Sequence, residues 1–277
     1  VHQVHQVHQV HQVDPPQHLS PDLGPEAHRD HRDHRDHWHT GWPAFENRSQ
    51  AGRQLARALG RQPAGTITLG LTRGGMPVAA EAARLLGTPL DLCAVRKIGS
   101  PNNPELALGA VASGGIRIFN TDLAAALGVS PTGLQDAAQA QETELERVET
   151  ACRAGWPSLD LVGKPVLLVD DGVATGATLR AAAASVRARG ASRVTIAAPA
   201  APAEVLPALR TAADAVLVLI TPEPFLGVGA CYREFPQVPS GEVARLLEES
   251  RTAAPVWTRG QSPENARTAT VHSPEAP

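Results

Sequence analysis

"LLVDDGVATGAT" spans Leu167 to Thr178, and its reading decides the fold. A greasy run ends directly in two adjacent carboxylates, Asp170 and Asp171. After them come only small and hydroxylated residues plus Val173. A buried strand wants neither feature, so the segment reads as a strand whose end is shaped for a ligand. Gly172 releases the chain, and Thr175, Gly176, Ala177 and Thr178 open a helix. The start of a helix offers free N–H groups and the positive end of its dipole, a ready site for phosphate. The Thr175 and Thr178 hydroxyls add donors. The two carboxylates cannot serve that phosphate, because like charges repel. They suit a neighbour that is hydroxylated or cationic, such as a ribose diol or Mg²⁺. Together the two halves describe a site for a sugar phosphate.

Working outward, the chain alternates strands and helices. Arg48–Leu59 has helical spacing and stops at Gly60. Thr66–Leu71 is a strand, followed by the glycine turn "TRGG" and a helix over Pro77–Leu86, with Pro77 at its start. Leu90–Val95 is the next strand. Lys97–Asn120 is rich in Gly and Pro, with two β-like pieces, "LALGAVA" and "IRIF"; it reads as a loop and hairpin excursion outside the sheet. Gln135–Arg153 is a charged helix. Strand "PVLLVD", helix Thr178–Arg189, strand "RVTIAAP", helix Ala203–Leu209 and strand "AVLVLI" complete the rhythm. The strands are continuous apolar runs, as expected of parallel strands covered on both faces. The expected fold is a doubly wound, mostly parallel α/β sheet.

Composition agrees. Hydrophobic residues make up 42% but aromatics only 3%, so the core must be built of Ala, Val and Leu. A net charge of −3 provides no basic field for nucleic acid. Three widely spaced cysteines, Cys93, Cys152 and Cys231, argue against a disulfide framework and for a reducing compartment. No apolar run reaches the ~18 residues of a membrane span, and no signal pattern opens the chain. A soluble cytoplasmic protein is expected. Ten of the eleven histidines precede Thr40, in the repeats "VHQVHQVHQVHQV" and "HRDHRDHRDHWH". This His-rich segment, residues 1–44, reads as low-complexity and disordered rather than as a metal-binding arm. Residues 251–277 read as a disordered tail, which leaves 45–250 as the folded domain. That domain contains no histidine, so any chemistry in it proceeds without imidazole.

In such sheets ligands bind beyond the carboxyl ends of the strands. Besides the acid loop, "GLTRGGMPVA" offers Arg73 for fixed charge, with Gly74 and Gly75 letting the backbone approach an anion; a plain βα turn is the competing reading. A Walker A loop would require GxxxxGK[ST], and no lysine stands in either loop. The third loop, "TPEPFLGVGACYREF", carries Phe225 and Tyr232, either of which could stack on a planar ring. Simple filling of a small core by Phe225 and Phe235 is the alternative. Cys231 reads as packing, having no histidine partner.

"VLLVDDGVATGATL" closely resembles the phosphoribosyl-diphosphate (PRPP) signature of the type I phosphoribosyltransferases. "LTRGG" stands in the place of that family's diphosphate loop, which can hold a non-proline cis peptide. The 97–120 excursion stands in the place of its mobile flap. "RGGMPVAAEAARLLGTPLDLCAVRKIGSPNNPELALGAV" resembles a bacterial subgroup of predicted members, and the likeness runs from about Phe45 to Leu247. The resemblance implies transfer of the 5-phosphoribosyl group from PRPP to a nitrogenous acceptor with loss of diphosphate. Asp170 and Asp171 would hold the ribose hydroxyls with Mg²⁺ close by. Gly172 and Ala174 to Thr178 would cradle the 5′-phosphate. Arg73, Gly74 and Gly75 would meet the diphosphate, with Arg96 and Lys97, at the end of the second strand, as further charge. Phe225 or Tyr232 would face the acceptor. Members acting on 6-oxopurines usually carry an Asp where this chain has Ala174, so hypoxanthine and guanine become less favoured. A non-catalytic regulator sensing PRPP or a nucleotide is the alternative on the same fold. The expected partners are PRPP and the acceptor, with neither nucleic acid nor membrane, and a homodimer is left open.

Overall fold

A computed structural model describes residues 43–100 and 103–253. The His-rich repeats and the segment beyond 253 lie outside the described residues. Helix α1 (Arg48–Leu59) is capped by Asn47, whose side chain accepts from the Gln50 N–H at 3.0 Å, and it ends at Gly60. Strand β1 (Ile67–Leu71) is buried throughout. Helix α2 (Gly75–Leu86) follows, starting two residues earlier than its proline suggested. Pro77 still falls in the first turn, where no N–H is required. Strand β2 (Leu90–Cys93) pairs parallel to β1.

The expected excursion is present but larger. It forms a separate antiparallel sheet of three strands, β3 (Val95–Ser100), β4 (Asn103–Ala112) and β5 (Ile116–Phe119). The break falls at Ala94, whose N–H and C=O are taken by Ser113 Oγ and the Ser113 N–H, both at 2.9 Å. The core strand therefore stops at Cys93. Arg96 and Lys97 belong to β3 in this second sheet, not to the end of a core strand, which corrects their expected position.

Helix α3 (Thr121–Ala126) was not anticipated. Helix α4 (Pro131–Arg153) begins at Ser130, which caps it through the Gly133 N–H at 3.1 Å. Strand β6 (Pro165–Val169), helix α5 (Ala177–Ala188), strand β7 (Arg193–Ala200), helix α6 (Leu206–Ala212) and strand β8 (Ala215–Ile220) continue the alternation. Helix α7 (Ser240–Ala253) carries helical structure three residues past the domain limit drawn from sequence.

The main sheet has order β2-β1-β6-β7-β8, all parallel. Alternate residues of β6 enter opposite cores: Leu167 and Val169 join α2, α4 and α7, while Val166 and Leu168 join α5 and α6. Both faces are thus covered, which explains the unbroken apolar runs. Each fully buried leucine contributes about 1.5–3 kcal/mol. A third, smaller cluster gathers Phe45, Tyr232, Phe225 and Phe235. Three of the chain's four phenylalanines and its one tyrosine therefore sit together, beside the loops described next.

Candidate functional site

From β1 the chain moves outward to β2, and from β6 it moves the other way to β7 and β8. The direction of winding reverses between β1 and β6, the place where open α/β sheets bind ligands. The loops leaving these two strands are the "TRGG" turn and "DDGVATG".

The two loops interlock. A Cβ on Gly74 would lie 2.3 Å from Asp171 Oδ2, and one on Gly75 would lie 2.6 Å from the Val169 carbonyl oxygen and 2.9 Å from Asp170 Cα. Any side chain there would push the acid pair away. These glycines are required by the carboxylates themselves, a reason the sequence did not reveal. The Thr72–Arg73 peptide is cis. Arg73 is exposed and makes no ion pair among the described residues.

Asp170 and Asp171 are held differently. Asp170 Oδ1 accepts from the Asp171 N–H at 3.0 Å, and Asp170 makes no ion pair among the described residues. Burial, then the charge of Asp171, push its carboxyl well above the usual range. Burial also raises Asp171, opposed by Arg48. Arg48 Nε and Nη2 both reach Asp171 Oδ2, each at 2.8 Å. Two half-buried carboxylates thus face one guanidinium; with both ionised, one negative charge is left over on oxygen donors of the hard type that Mg²⁺ favours. The donor set fits such an ion.

Beyond the acids, Gly172 packs so tightly that a Cβ would meet Val228 at 2.4 Å. The Val173 N–H is taken by the Ala200 carbonyl at 2.8 Å. Ala174 and Thr175 are exposed, and Gly176, at φ 74°, turns the chain into α5. Among the described residues, no protein acceptor meets the N–H groups of Ala174, Thr175 or Gly176. Ala177 N–H makes one long contact, 3.4 Å, to Thr175 Oγ1. Thr178 follows in the first turn. The anion cradle expected from the sequence therefore has its donors bare.

Other expected residues lie elsewhere. Arg96 is engaged by α4, donating to Gln141 at 2.9 Å with Glu144 4.0 Å away, so its charge is committed to that helix. Tyr232 is buried, stacked on Phe235 with ring centroids 4.9 Å apart, and its hydroxyl donates to the Asp171 carbonyl. Burial and the nearby Asp171 charge raise its phenol pKa. This ring is committed to packing and cannot serve as an open stacking platform, because its contact surface is already covered. Phe225 is half-buried against the same cluster. Cys231 is buried, and burial pushes its thiol up to about 11, which keeps it protonated.

Arg48 is the residue that sequence reasoning missed. It shares the buried stripe of α1 with Ala51, Gly52, Leu55 and Ala56. A charged residue on an apolar stripe was the available signal.

A phosphoribosyl transferase domain model matches residues 46–220. Two Mycobacterium tuberculosis sequences, from different strains and both named "Putative phosphoribosyl transferase", are 40% identical over 207 residues, 74% of this chain and 47% of theirs. The chain thus spans about half the length of the curated relatives it matches. The crystal structure of TT1426 from Thermus thermophilus is 40% identical, with a TM-score of 0.66, covering 74% of this chain and 98% of that one. With the acid loop and its bare helix start at the sheet's reversal point, these matches identify the chain as a member of the phosphoribosyl transferase domain family.

Proposed function

We propose that this domain transfers the 5-phosphoribosyl group of PRPP to a nitrogenous acceptor. In that reaction a C1′–N bond forms as the C1′–O bond to diphosphate breaks. The observation that carries the reading is an acid pair served by one guanidinium, followed in the same loop by N–H groups that have no acceptor among the described residues. The acids suit ribose hydroxyls, and the N–H groups of 174–176 suit the 5′-phosphate. Mg²⁺, held by Asp170 and by the remaining oxygen of Asp171, directly or through water, would neutralise charge on the diphosphate. Arg73, exposed in the turn whose Gly74 abuts Asp171, would meet the same leaving group. Catalysis would rest on positioning and electrostatics, with no covalent enzyme intermediate. Phe225 stays the aromatic candidate for the acceptor side, and Ala174 speaks against hypoxanthine and guanine.

The test is diphosphate release from PRPP with Mg²⁺ across purines, pyrimidines, pyridine carboxylates and small amines. Release with one of these acceptors supports the transfer. Binding of Mg²⁺–PRPP without release for any acceptor would replace it with the sensor reading.

A further inference from the structure

Every nitrogen of the Arg48 guanidinium is spent. Nε and Nη2 meet Asp171 Oδ2, and Nη1 donates to the Pro236 carbonyl at 2.7 Å. The guanidinium carbon lies 3.7 Å from the centroid of the Phe235 ring. The group is 8% exposed. Its contacts lie far apart in sequence, 123 residues to Asp171 and 188 to Pro236.

The segment leading into α1 is stitched to the same loop. Phe45 N–H donates to the Cys231 carbonyl at 2.9 Å, Arg233 N–H to the Phe45 carbonyl at 2.8 Å, and Glu234 N–H to the Glu46 carbonyl at 2.9 Å. Tyr232 then closes the circuit onto the Asp171 carbonyl. Asp171 is therefore gripped twice, its backbone by Tyr232 of the loop that follows β8 and its carboxylate by Arg48 of α1, itself tied to that loop at Pro236. Oδ2 already meets two nitrogens of Arg48, so Oδ1 is the less committed oxygen of Asp171.

The geometry points to Arg48 as a positioning residue that fixes the Asp171 carboxylate and ties it to the Phe225–Pro236 loop. Ribose-side acid and acceptor-side loop then keep one register. This inference rests on the phosphoribosyl-transfer reading. A planar fork with a stacking face is required, because a lysine ammonium is a point charge that cannot make these contacts together.

The experiment is calorimetric titration of Mg²⁺–PRPP into wild type, R48K, R48Q, D171N and the R48Q/D171N double variant, with urea unfolding of each. R48Q should bind about tenfold or more weakly, the scale of a lost charged hydrogen bond. R48K should recover only part of that loss, and it carries the test if R48Q does not fold. Because Arg48 acts through Asp171, the double variant should bind no more weakly than D171N alone. A role in stability only would leave binding per folded molecule unchanged. Wild-type affinity in R48K and R48Q, or losses that add in the double variant, overturns the inference. A wild type that does not bind Mg²⁺–PRPP overturns the transfer reading instead.

Discussion

Two buried Arg–Asp pairs of this domain differ in how their charge is balanced. Asp91 on β2 is 1% exposed and saturated: Oδ1 accepts from Arg153 Nη1 and the Leu92 N–H, and Oδ2 from the Leu159 N–H, at 2.7–2.8 Å. Arg153 also reaches Glu149 at 2.8 Å, and Arg251 of α7 lies 3.9 Å from Asp91. This cluster fastens α4 and α7 to the sheet edge. At the other pair, Arg48 serves Asp171 while Asp170 has a single backbone donor. Where carboxylates only hold helices in place, the protein completes their partners itself. At the acid pair, where the protein supplies only one guanidinium, the proposed Mg²⁺ and ribose would complete the set.

The largest expected effect breaks the balanced pair. Asp91→Ala leaves the buried Arg153 with Glu149 alone and strands the Leu159 N–H in the interior, which should cost about 3–5 kcal/mol in urea unfolding. Affinity for Mg²⁺–PRPP per folded molecule should be unchanged. A weakened affinity at full folding would show that the two pairs are not separate devices.

Next comes the contact that holds the unbalanced pair. In Gly75→Ala the new methyl meets the Val169 carbonyl and Asp170 Cα, backbone atoms that cannot swing aside. Overpacking of this kind costs about 1–3 kcal/mol, and here it should also displace the acids. Equal loss of stability and of PRPP binding is expected, measured by unfolding and calorimetry on the same samples. Full PRPP affinity in Gly75→Ala would detach the glycine turn from the acid pair.

Asp170→Asn should separate stability from binding. Mg²⁺–PRPP affinity should fall about 10–100-fold, the scale of a lost charged hydrogen bond. Stability without Mg²⁺ should move the other way. The folded-state pKa of Asp170 is raised, so above the ordinary carboxylate value near about 4 the folded protein keeps a proton that the unfolded chain has released. That contribution to stability shrinks as pH rises through this window. The variant lacks the penalty, so its melting temperature should gain on wild type as pH rises. A constant difference across pH would show that Asp170 carries no such burden.

The same contrast explains what the sequence disclosed. The acid loop, its helix start and the glycine turn are contiguous, and their chemistry follows from short-range rules about strand ends and helix dipoles. The parallel sheet was legible because apolar runs and glycine turns recur locally. Arg48 was not, because its partners lie in segments separated by more than a hundred residues. Tyr232 was misjudged for a related reason. An aromatic in a Gly-rich loop looks available until Phe45, brought from the other end of the domain, and Phe235, three residues on, cover it. Arg96 was misplaced because Ser113, nineteen residues on, ends β2 at Cys93. The reason for Gly74 and Gly75 also lay across the fold, in carboxylates nearly a hundred residues away.

The smallest effect lies between the two extremes. Asp214, like Asp91, is partnered by the protein, but only at one oxygen and with more solvent around it: Oδ2 accepts from the Val194 N–H at 2.7 Å and from Arg187 at 3.1 Å, with the side chain 40% exposed. The Val194 hydrogen bond, then that of Arg187, holds its carboxyl below the usual range despite some desolvation. Its contribution is therefore present above the ordinary carboxylate pKa and lost as pH falls through its own lower value. Solvent screening limits the size, so Asp214→Ala should cost only about 0.5–1 kcal/mol at neutral pH. The gap from wild type should close on acidification, opposite in sign to the trend for Asp170→Asn. If both variants shift with pH in the same direction, then leftover charge does not distinguish the ligand-facing carboxylate from the structural ones, and the comparison of the two pairs fails.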